Sequence, residues 1–130
     1  MWKNSVKNNV NIEIHLDNGI YILGLNSGEG KTRMCKLLHN YRKLGEPCLS
    51  YTYDDFINGV NLEALVKVVK PKVLMLDRYD MYAGEFEDII VNTAIQAIVL
   101  IDCKGSINFK HSITPKQSHI RMEMKKIIVR

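Results

Sequence analysis

The sequence has little of what marks a secreted, metal-binding or membrane protein. Its three cysteines, Cys35, Cys48 and Cys103, are widely spaced and form no CxxC pair, which argues against a disulfide framework and a zinc knuckle. The four histidines show no metal-ligand spacing. No run of about 18 or more apolar residues occurs, and residues 1–11 carry no apolar stretch of signal-peptide type. We therefore expect a cytoplasmic protein with reduced thiols and no membrane partner.

Extremes of composition are also missing. With 46% hydrophobic and 25% charged residues, the chain falls in the globular range, which excludes wholesale disorder and a fibrous repeat. Its 130 residues fit one domain spanning 1–130, with room for one core and little room for a lid or a separate substrate domain.

The first part of the chain predicts two strands and a helix. Residues 10–16 alternate apolar and polar, residues 17–19 (Asp-Asn-Gly) are typical of a turn, and residues 20–23 are nearly all apolar. This order predicts an antiparallel N-terminal hairpin. After a glycine-rich segment, apolar residues at i, i+3, i+4 and i+7 from Met34 to Tyr41 predict a helix, which Gly45 and Pro47 end.

The middle of the chain predicts a parallel sheet. Residues 73–76 and 97–101 are unbroken apolar runs, closed by Asp77 and Asp102 respectively. Residues 48–53 favour a short strand, and helical patterns cover 61–70, with Asn61 as N-cap, and 84–96. Such an alternation predicts an α/β three-layer sandwich with a mostly parallel sheet and helices on both faces. Residues 103–118 are expected to form a loop, and 119–130 a last strand or a hairpin.

The glycine-rich segment, residues 24–32 (GLNSGEGKT), carries the most specific pattern. Gly30, Lys31 and Thr32 match the end of the Walker A motif, G-x-x-x-x-G-K-[ST], between a predicted strand and a predicted helix. By this match to Walker A, placed between a strand and a helix, the chain resembles the P-loop NTPase superfamily. The motif's first glycine would stand at Leu25, so either Leu25 begins the loop or the loop starts at Gly24 with one extra residue.

The resemblance implies a phosphate-binding loop that opens a helix. Backbone N–H groups and the helix N-terminus would bind the phosphates of ATP or another nucleoside triphosphate. Lys31 would contact the β- and γ-phosphates, and the Thr32 hydroxyl would ligate Mg²⁺. The residues expected to bind nucleotide are Asn26, Ser27, Gly28, Glu29, Gly30, Lys31, Thr32 and Arg33.

Residues 73–77 resemble a Walker B strand, in which Asp77 would hold the Mg²⁺ together with Thr32. Many related ATPases carry a glutamate directly after this aspartate, but here the next residue is Arg78. Asp80 is the nearest carboxylate along the chain, and we predict it, with Lys31, as catalytic. Because no acid adjoins Asp77, nucleotide binding is better supported than hydrolysis. Asp102 is either a polar sensor of the γ-phosphate or an ordinary acid at a strand end.

The order of elements resembles a small AAA- or ABC-like ATPase core. An LSGGQ-type signature and an N-K-x-D base-recognition motif are both missing from the sequence. The alternative function is a non-catalytic regulatory or protein-interaction module with a degenerate P-loop. A small-molecule kinase is a third hypothesis, although no residues mark an acceptor site or a lid.

Charge is unevenly distributed along the chain. Residues 77–103 contain six acids and one base, a net charge of −5, whereas residues 104–130 contain seven bases and one acid, a net charge of +6. The basic C-terminal segment either meets nucleic acid or is a solvated or protein-contacting face, and its scattered bases favour the latter. Since so short a chain lacks an effector apparatus, we expect a protein partner or a homo-oligomer.

Overall fold

The computed structural model describes residues 1–5, 10–24, 28–105, 107–110 and 114–130, and only the backbone of residues 28 and 29. Nine strands occur in these ranges: β1 (Trp2–Lys3), β2 (Asn11–Ile14), β3 (Gly19–Leu23), β4 (Cys48–Tyr51), β5 (Val73–Leu76), β6 (Ile98–Ile101), β7 (Lys116–Ser118), β8 (Ile120–Met122) and β9 (Lys126–Val129). The α-helices there are α1 (Gly28–Lys43), α2 (Tyr53–Ile57), α3 (Leu62–Val69) and α4 (Glu87–Ala94), and a 3-10 helix covers Tyr79–Met81.

Five strands form a parallel sheet in the order β4-β5-β6-β3-β7. Every neighbouring pair in it is parallel. The unbroken apolar sequences of β5 and β6 explain their central places, since all four residues of each strand are buried. The prediction of a mostly parallel sheet is therefore confirmed.

Helices cover both faces of this sheet, as predicted for an α/β sandwich. Met34 and Leu38 of α1 pack with Tyr21, Leu23 and other buried residues on one face. Leu62 of α3 and Ile90 of α4 pack on the other face. Alternate residues of each strand point to opposite faces, so the two cores lie back to back across a single sheet.

The predicted N-terminal hairpin is wrong. Strand β2 belongs to a second sheet, of order β1-β2-β9-β8, where it pairs parallel with β9 and antiparallel with β1. Strand β3 has no free edge for β2, because β6 and β7 occupy both of its edges. The Asp-Asn-Gly segment therefore carries the chain from one sheet to the other. Ile12 and Ile14 of β2, both 0% exposed, join the α1-side core.

The C-terminal part differs from expectation in one respect. Of the two alternatives predicted for 119–130, a last strand or a hairpin around Lys125 and Lys126, the hairpin is present, as antiparallel β8 and β9. The region predicted as a loop, 103–118, ends in the strand β7, which pairs with β3. Its polar sequence, Lys-Gln-Ser, gave no strand signal, because β7 is an edge strand held by its backbone hydrogen bonds to β3.

The helices largely follow their sequence signals. Asn61 caps α3, its side chain accepting the N–H of Ala64 at 3.0 Å. Helix α4 is shorter than the predicted 84–96. The short α2 was not predicted, although Thr52 and Asp55 form a capping box at its start. In the described ranges, no helix has the length and apolar character needed to cross a membrane.

Candidate functional site

The candidate site lies at the carboxyl edge of the parallel sheet. The connection leaving β3 leads to β4 at one sheet edge, whereas the connection leaving β6 leads to β7 at the opposite edge. Neighbouring strands β3 and β6 thus form a topological switch point, the place where open α/β sheets bind ligands. Residues Asp77 and Asp102 follow β5 and β6 directly. Because Leu76 is in register with Ile101, the two aspartates lie side by side.

Lys31 projects from the first turn of α1 into this edge. Its Nζ lies 2.9 Å from Oδ1 of Asp102, and each side chain is only 8% exposed. The pair links α1 to the strand next to β3. A buried ion pair of this kind contributes little net stability, because desolvation offsets the Coulomb attraction. A contribution to the stability of the fold is therefore a weak explanation for the buried charges of Lys31 and Asp102.

Asp77 is the second carboxylate of the cluster. It lies beside Asp102 at the end of the adjacent strand, and burial together with this acidic neighbour raises the pKa of Asp77 to about 6. The nearby guanidinium of Arg78 opposes the shift only in part. Carboxyl groups with strongly raised pKa values concentrate at functional sites.

Arg78 and Asp80 form a separate pair beside the cluster. Arg78 Nε and one terminal nitrogen donate to the two carboxylate oxygens of Asp80, at 3.1 and 2.9 Å. These bonds lower the pKa of Asp80. The Arg78 backbone has φ +49°, a left-handed conformation, and its N–H lies 3.3 Å from Oδ2 of Asp102. Both oxygens of Asp102 are thereby engaged, one by Lys31 and one by the backbone.

The C-terminal hairpin lies against the start of the glycine-rich segment. The N–H of Gly24 donates to the carbonyl of Ser118 at 2.9 Å. A Cβ at Gly24 would come within 2.7 Å of Nδ1 of His119, so only glycine fits without displacing the imidazole. A Cβ at Gly30 would lie 3.4 Å from Met122. Strand β8 thus lies beside the segment on which phosphate binding is predicted.

The structure brings two of the predicted site residues, Lys31 and Asp77, next to Asp102. Thr32 and Arg33 lie on the exposed side of α1, where they line a shallow depression with Lys36 and Leu37. Gly28, Glu29 and Gly30 begin α1, and Gly30 is buried. Asn26 and Ser27, together with Leu25, lie outside the described residues, so their predicted roles stay predictions.

Tyrosines near the site belong to the core. Tyr51, at the end of β4, is 0% exposed and makes edge-on ring contacts with Tyr82 and Phe86. The Tyr82 hydroxyl donates to the backbone carbonyls of Tyr51 and Asp77. Tyr51 therefore packs in the core, and these rings support the segment that carries Asp77.

The acidic groups at this edge suit Mg²⁺ better than a metal held by protein alone. Among the residues that the structure describes, no three His, Cys, Asp or Glu side chains are grouped to hold a metal ion. Mg²⁺ is commonly bound by one or two carboxylates, with water and substrate phosphates completing its octahedron. Asp77 and Asp102 are two adjacent carboxylates next to a lysine, so this donor set fits the ion that the motif implies.

Sequence reasoning did not assign the partners of Lys31. Asp102 appeared only as a choice between a sensor and an ordinary strand-end acid, and His119 was not noticed. A usable signal for Asp102 was present, since both central apolar strands end in aspartate and parallel strands end at one edge. Comparison with protein-family models, with curated proteins and with solved structures gave no match for this chain.

Proposed function

We propose that the chain binds a nucleoside triphosphate, ATP in the first instance, together with Mg²⁺, at the carboxyl edge of its parallel sheet. The observation that carries the proposal is the cluster at the N-terminus of α1 that joins the buried pair of Lys31 and Asp102 to the half-buried Asp77. At this switch point, the ammonium can bind the negatively charged triphosphate and the two carboxylates can bind Mg²⁺.

The motif gives each residue a role, and its position supports that role for Lys31 and Asp77 better than for Thr32, which lies on the exposed side of α1. The N-terminus of α1, a 16-residue helix, is the positive end of the helix dipole, which favours phosphate. Lys31 would bind the β- and γ-phosphates, while Thr32 and Asp77 would hold Mg²⁺. When bound, the ion would neutralise phosphate charge. Arg33 is exposed and able to reach solvent-borne phosphate near the same turn.

Hydrolysis is the less supported half of the proposal. In-line attack of water on the γ-phosphate benefits from a group that orients the water. Asp80, the predicted candidate, is held by Arg78 through two hydrogen bonds and accepts the N–H of Lys104 at 3.4 Å. A carboxylate held in this way, with a lowered pKa, is a weak base. The same observation favours the second candidate, a nucleotide-binding regulatory module without catalysis.

Cellular setting and partners belong to the same proposal. The three cysteines are free and buried, which suits a reducing cytoplasm where nucleotide is abundant. Val68 of α3 and Ile95 after α4 are 82% and 71% exposed, and these two separate apolar side chains are the contact points that we propose for a protein partner or a second copy.

Thermal denaturation with nucleotide tests the binding proposal. We expect millimolar Mg-ATP or Mg-GTP to raise Tm, because a ligand of the folded state adds about 2.7 kcal/mol of stability at 100 times its Kd. Thr32→Val should reduce the shift at little structural cost, since Thr32 is exposed. Thr114→Val, an exposed control, should leave it unchanged. An unaltered Tm with both nucleotides would refute the proposal.

Phosphate release then separates the two candidate functions. Steady-state release that Thr32→Val abolishes would support an ATPase. Tight binding with no release would support the regulatory module, in keeping with the clamped Asp80.

A further inference from the structure

We infer that Lys31 and Mg²⁺ compete for Asp102, the carboxylate beside Asp77, so that the protein takes up triphosphate and Mg²⁺ as one cooperative unit. The inference rests on the proposed function and adds to it a binding order. It also assigns to Asp102 a part in binding Mg²⁺, a role that the sequence motifs give only to Thr32 and Asp77.

The first step of the argument is that Lys31 already has a counter-charge. Its ammonium lies 2.9 Å from Asp102, with both side chains 8% exposed. A buried ammonium is costly without a neighbouring anion, because it has lost most of its hydration. Lys31 can therefore leave Asp102 only if another anion, such as a phosphate, takes its place.

The second step concerns what remains when Lys31 moves. Asp102 lies beside Asp77, because the two residues directly follow the in-register ends of adjacent strands β5 and β6. Without the ammonium, these would be two neighbouring carboxylates of like charge, an arrangement that is unfavourable in a partly buried site. A divalent cation would restore the balance. Phosphate binding would thus create the acidic pair that Mg²⁺ prefers.

The third step is the converse. With Lys31 in place, a cation approaching Asp102 meets an ammonium, so Mg²⁺ alone should bind poorly. Linkage requires the effect to be reciprocal: if phosphate strengthens Mg²⁺ binding, then Mg²⁺ strengthens phosphate binding by the same factor. The protein would discriminate against free phosphate compounds and against the free metal.

The metal alone gives the first test. Lys31→Met removes the ammonium while keeping an unbranched side chain. In MgCl₂ at millimolar concentration without nucleotide, Tm of Lys31→Met should rise by several degrees, whereas Tm of the wild type should not. Lys67→Met, which removes the ammonium of the exposed pair with Glu63, is the matched control and should behave as the wild type. An equal response of Lys31→Met and wild type to Mg²⁺ would overturn the inference.

The second test does not depend on how well Lys31→Met folds. The affinity for ATP is measured by calorimetry with Mg²⁺ and with EDTA, for the wild type and for Asp102→Asn. We expect the ratio of the two affinities to fall at least tenfold in Asp102→Asn, because ATP no longer needs the cation to neutralise the acidic pair. Chelation of Mg²⁺ by ATP in solution is the same for both proteins and cancels. Glu63→Gln is the control.

The outcomes separate this inference from the proposed function. If Mg-ATP does not bind the wild type, the proposed function fails, while the metal-only test still decides whether Lys31 excludes Mg²⁺. If Mg-ATP binds and the affinity ratio is the same in Asp102→Asn, the inference fails and nucleotide binding stands.

Discussion

At the scale of single residues, the pKa values of two aspartates three positions apart are shifted in opposite directions. Burial, followed by the neighbouring Asp102, raises the pKa of Asp77 to about 6, whereas the Arg78 guanidinium lowers the pKa of Asp80. An acid whose folded pKa is raised costs stability once it ionises. Its unfavourable contribution therefore develops as the pH rises from the unfolded pKa, about 4, through about 6. The pKa of Asp80 is lowered, so ionised Asp80 stabilises the folded protein, and this contribution is lost as the pH falls through the folded pKa.

We predict that Asp77→Asn raises Tm at pH 7.5 in the absence of Mg²⁺ and nucleotide. The amide keeps a hydrogen-bond donor toward Asp102 and carries no charge to repel it. Below about pH 4 the difference from the wild type should vanish, because Asp77 is then protonated in the folded state. Thermal melts between pH 4 and 8 measure this difference, and a gain that stayed constant with pH would contradict the assignment.

Asp80→Asn is the matched control for that experiment. Asp80 is partly exposed, so its pair with Arg78 is worth up to about 1 kcal/mol. We expect Asp80→Asn to lower Tm slightly at pH 7.5. The loss should disappear only at pH values below the usual carboxyl range, where Asp80 of the wild type becomes protonated.

At the scale of elements, the C-terminal hairpin supports the region where phosphate is expected to bind. Strand β7 pairs with β3, and the chain then passes Gly24 at His119 and Gly30 at Met122. The other strand of the hairpin, β9, pairs with β2, and Lys126 places its Nζ 2.9 Å from Glu13 of that strand. One base of the basic C-terminal segment, Lys126, is therefore paired with an acid of this chain.

We predict that Gly24→Ala destabilises the protein by about 0.5–1.5 kcal/mol, the cost of turning a side chain away from its preferred rotamer, because the new Cβ would meet the ring of the exposed His119 at 2.7 Å. His119→Ala should recover most of the loss in the double variant, giving a coupling energy in a double-mutant cycle. Urea denaturation measures each term. Gly105→Ala, where a Cβ meets no atom within 4 Å, is the control. Additive losses would show that the two residues do not meet in solution.

At the scale of the whole molecule, two sheets share one core. Ile12 and Ile127 of the four-stranded sheet belong to the same buried cluster as Leu23 and Val73 of the parallel sheet. Trp2, the single tryptophan, packs against this cluster from β1. Since neither sheet has this core to itself, we expect them to unfold together.

We predict one cooperative unfolding transition, in which Trp2 fluorescence and far-UV circular dichroism coincide. Ile127→Ala should lower the free energy of unfolding by about 2–5 kcal/mol as measured by either signal, because Ile127 is 0% exposed. Met124→Ala should shift neither, since Met124 is 92% exposed. A fluorescence transition that precedes the circular dichroism transition would show that the four-stranded sheet unfolds separately.

Local sequence was sufficient wherever one short pattern decides the outcome. The apolar runs of β5 and β6 predicted buried parallel strands, Asn61 predicted a helix start, and Lys125 with Lys126 marked a hairpin. Each of these depends on period, capping or turn chemistry within a few residues. The prediction of an N-terminal hairpin was wrong because a turn sequence does not reveal whether the next strand has a free edge. Strand β7 was not predicted because its extended conformation depends on pairing with β3 and not on its own residues.

The sequence by itself determined the α/β class, the central strands and the presence of Lys31 and Asp77 beside their strand and helix ends. Only the tertiary structure decided the second sheet, the close approach of His119 to Gly24, and the choice of Asp102 as partner of Lys31. Residues 31 and 102 are far apart along the chain, and their 2.9 Å contact exists only because β6 is inserted between β3 and β5. Strand order is set by the burial of the whole core, and no local pattern encodes it.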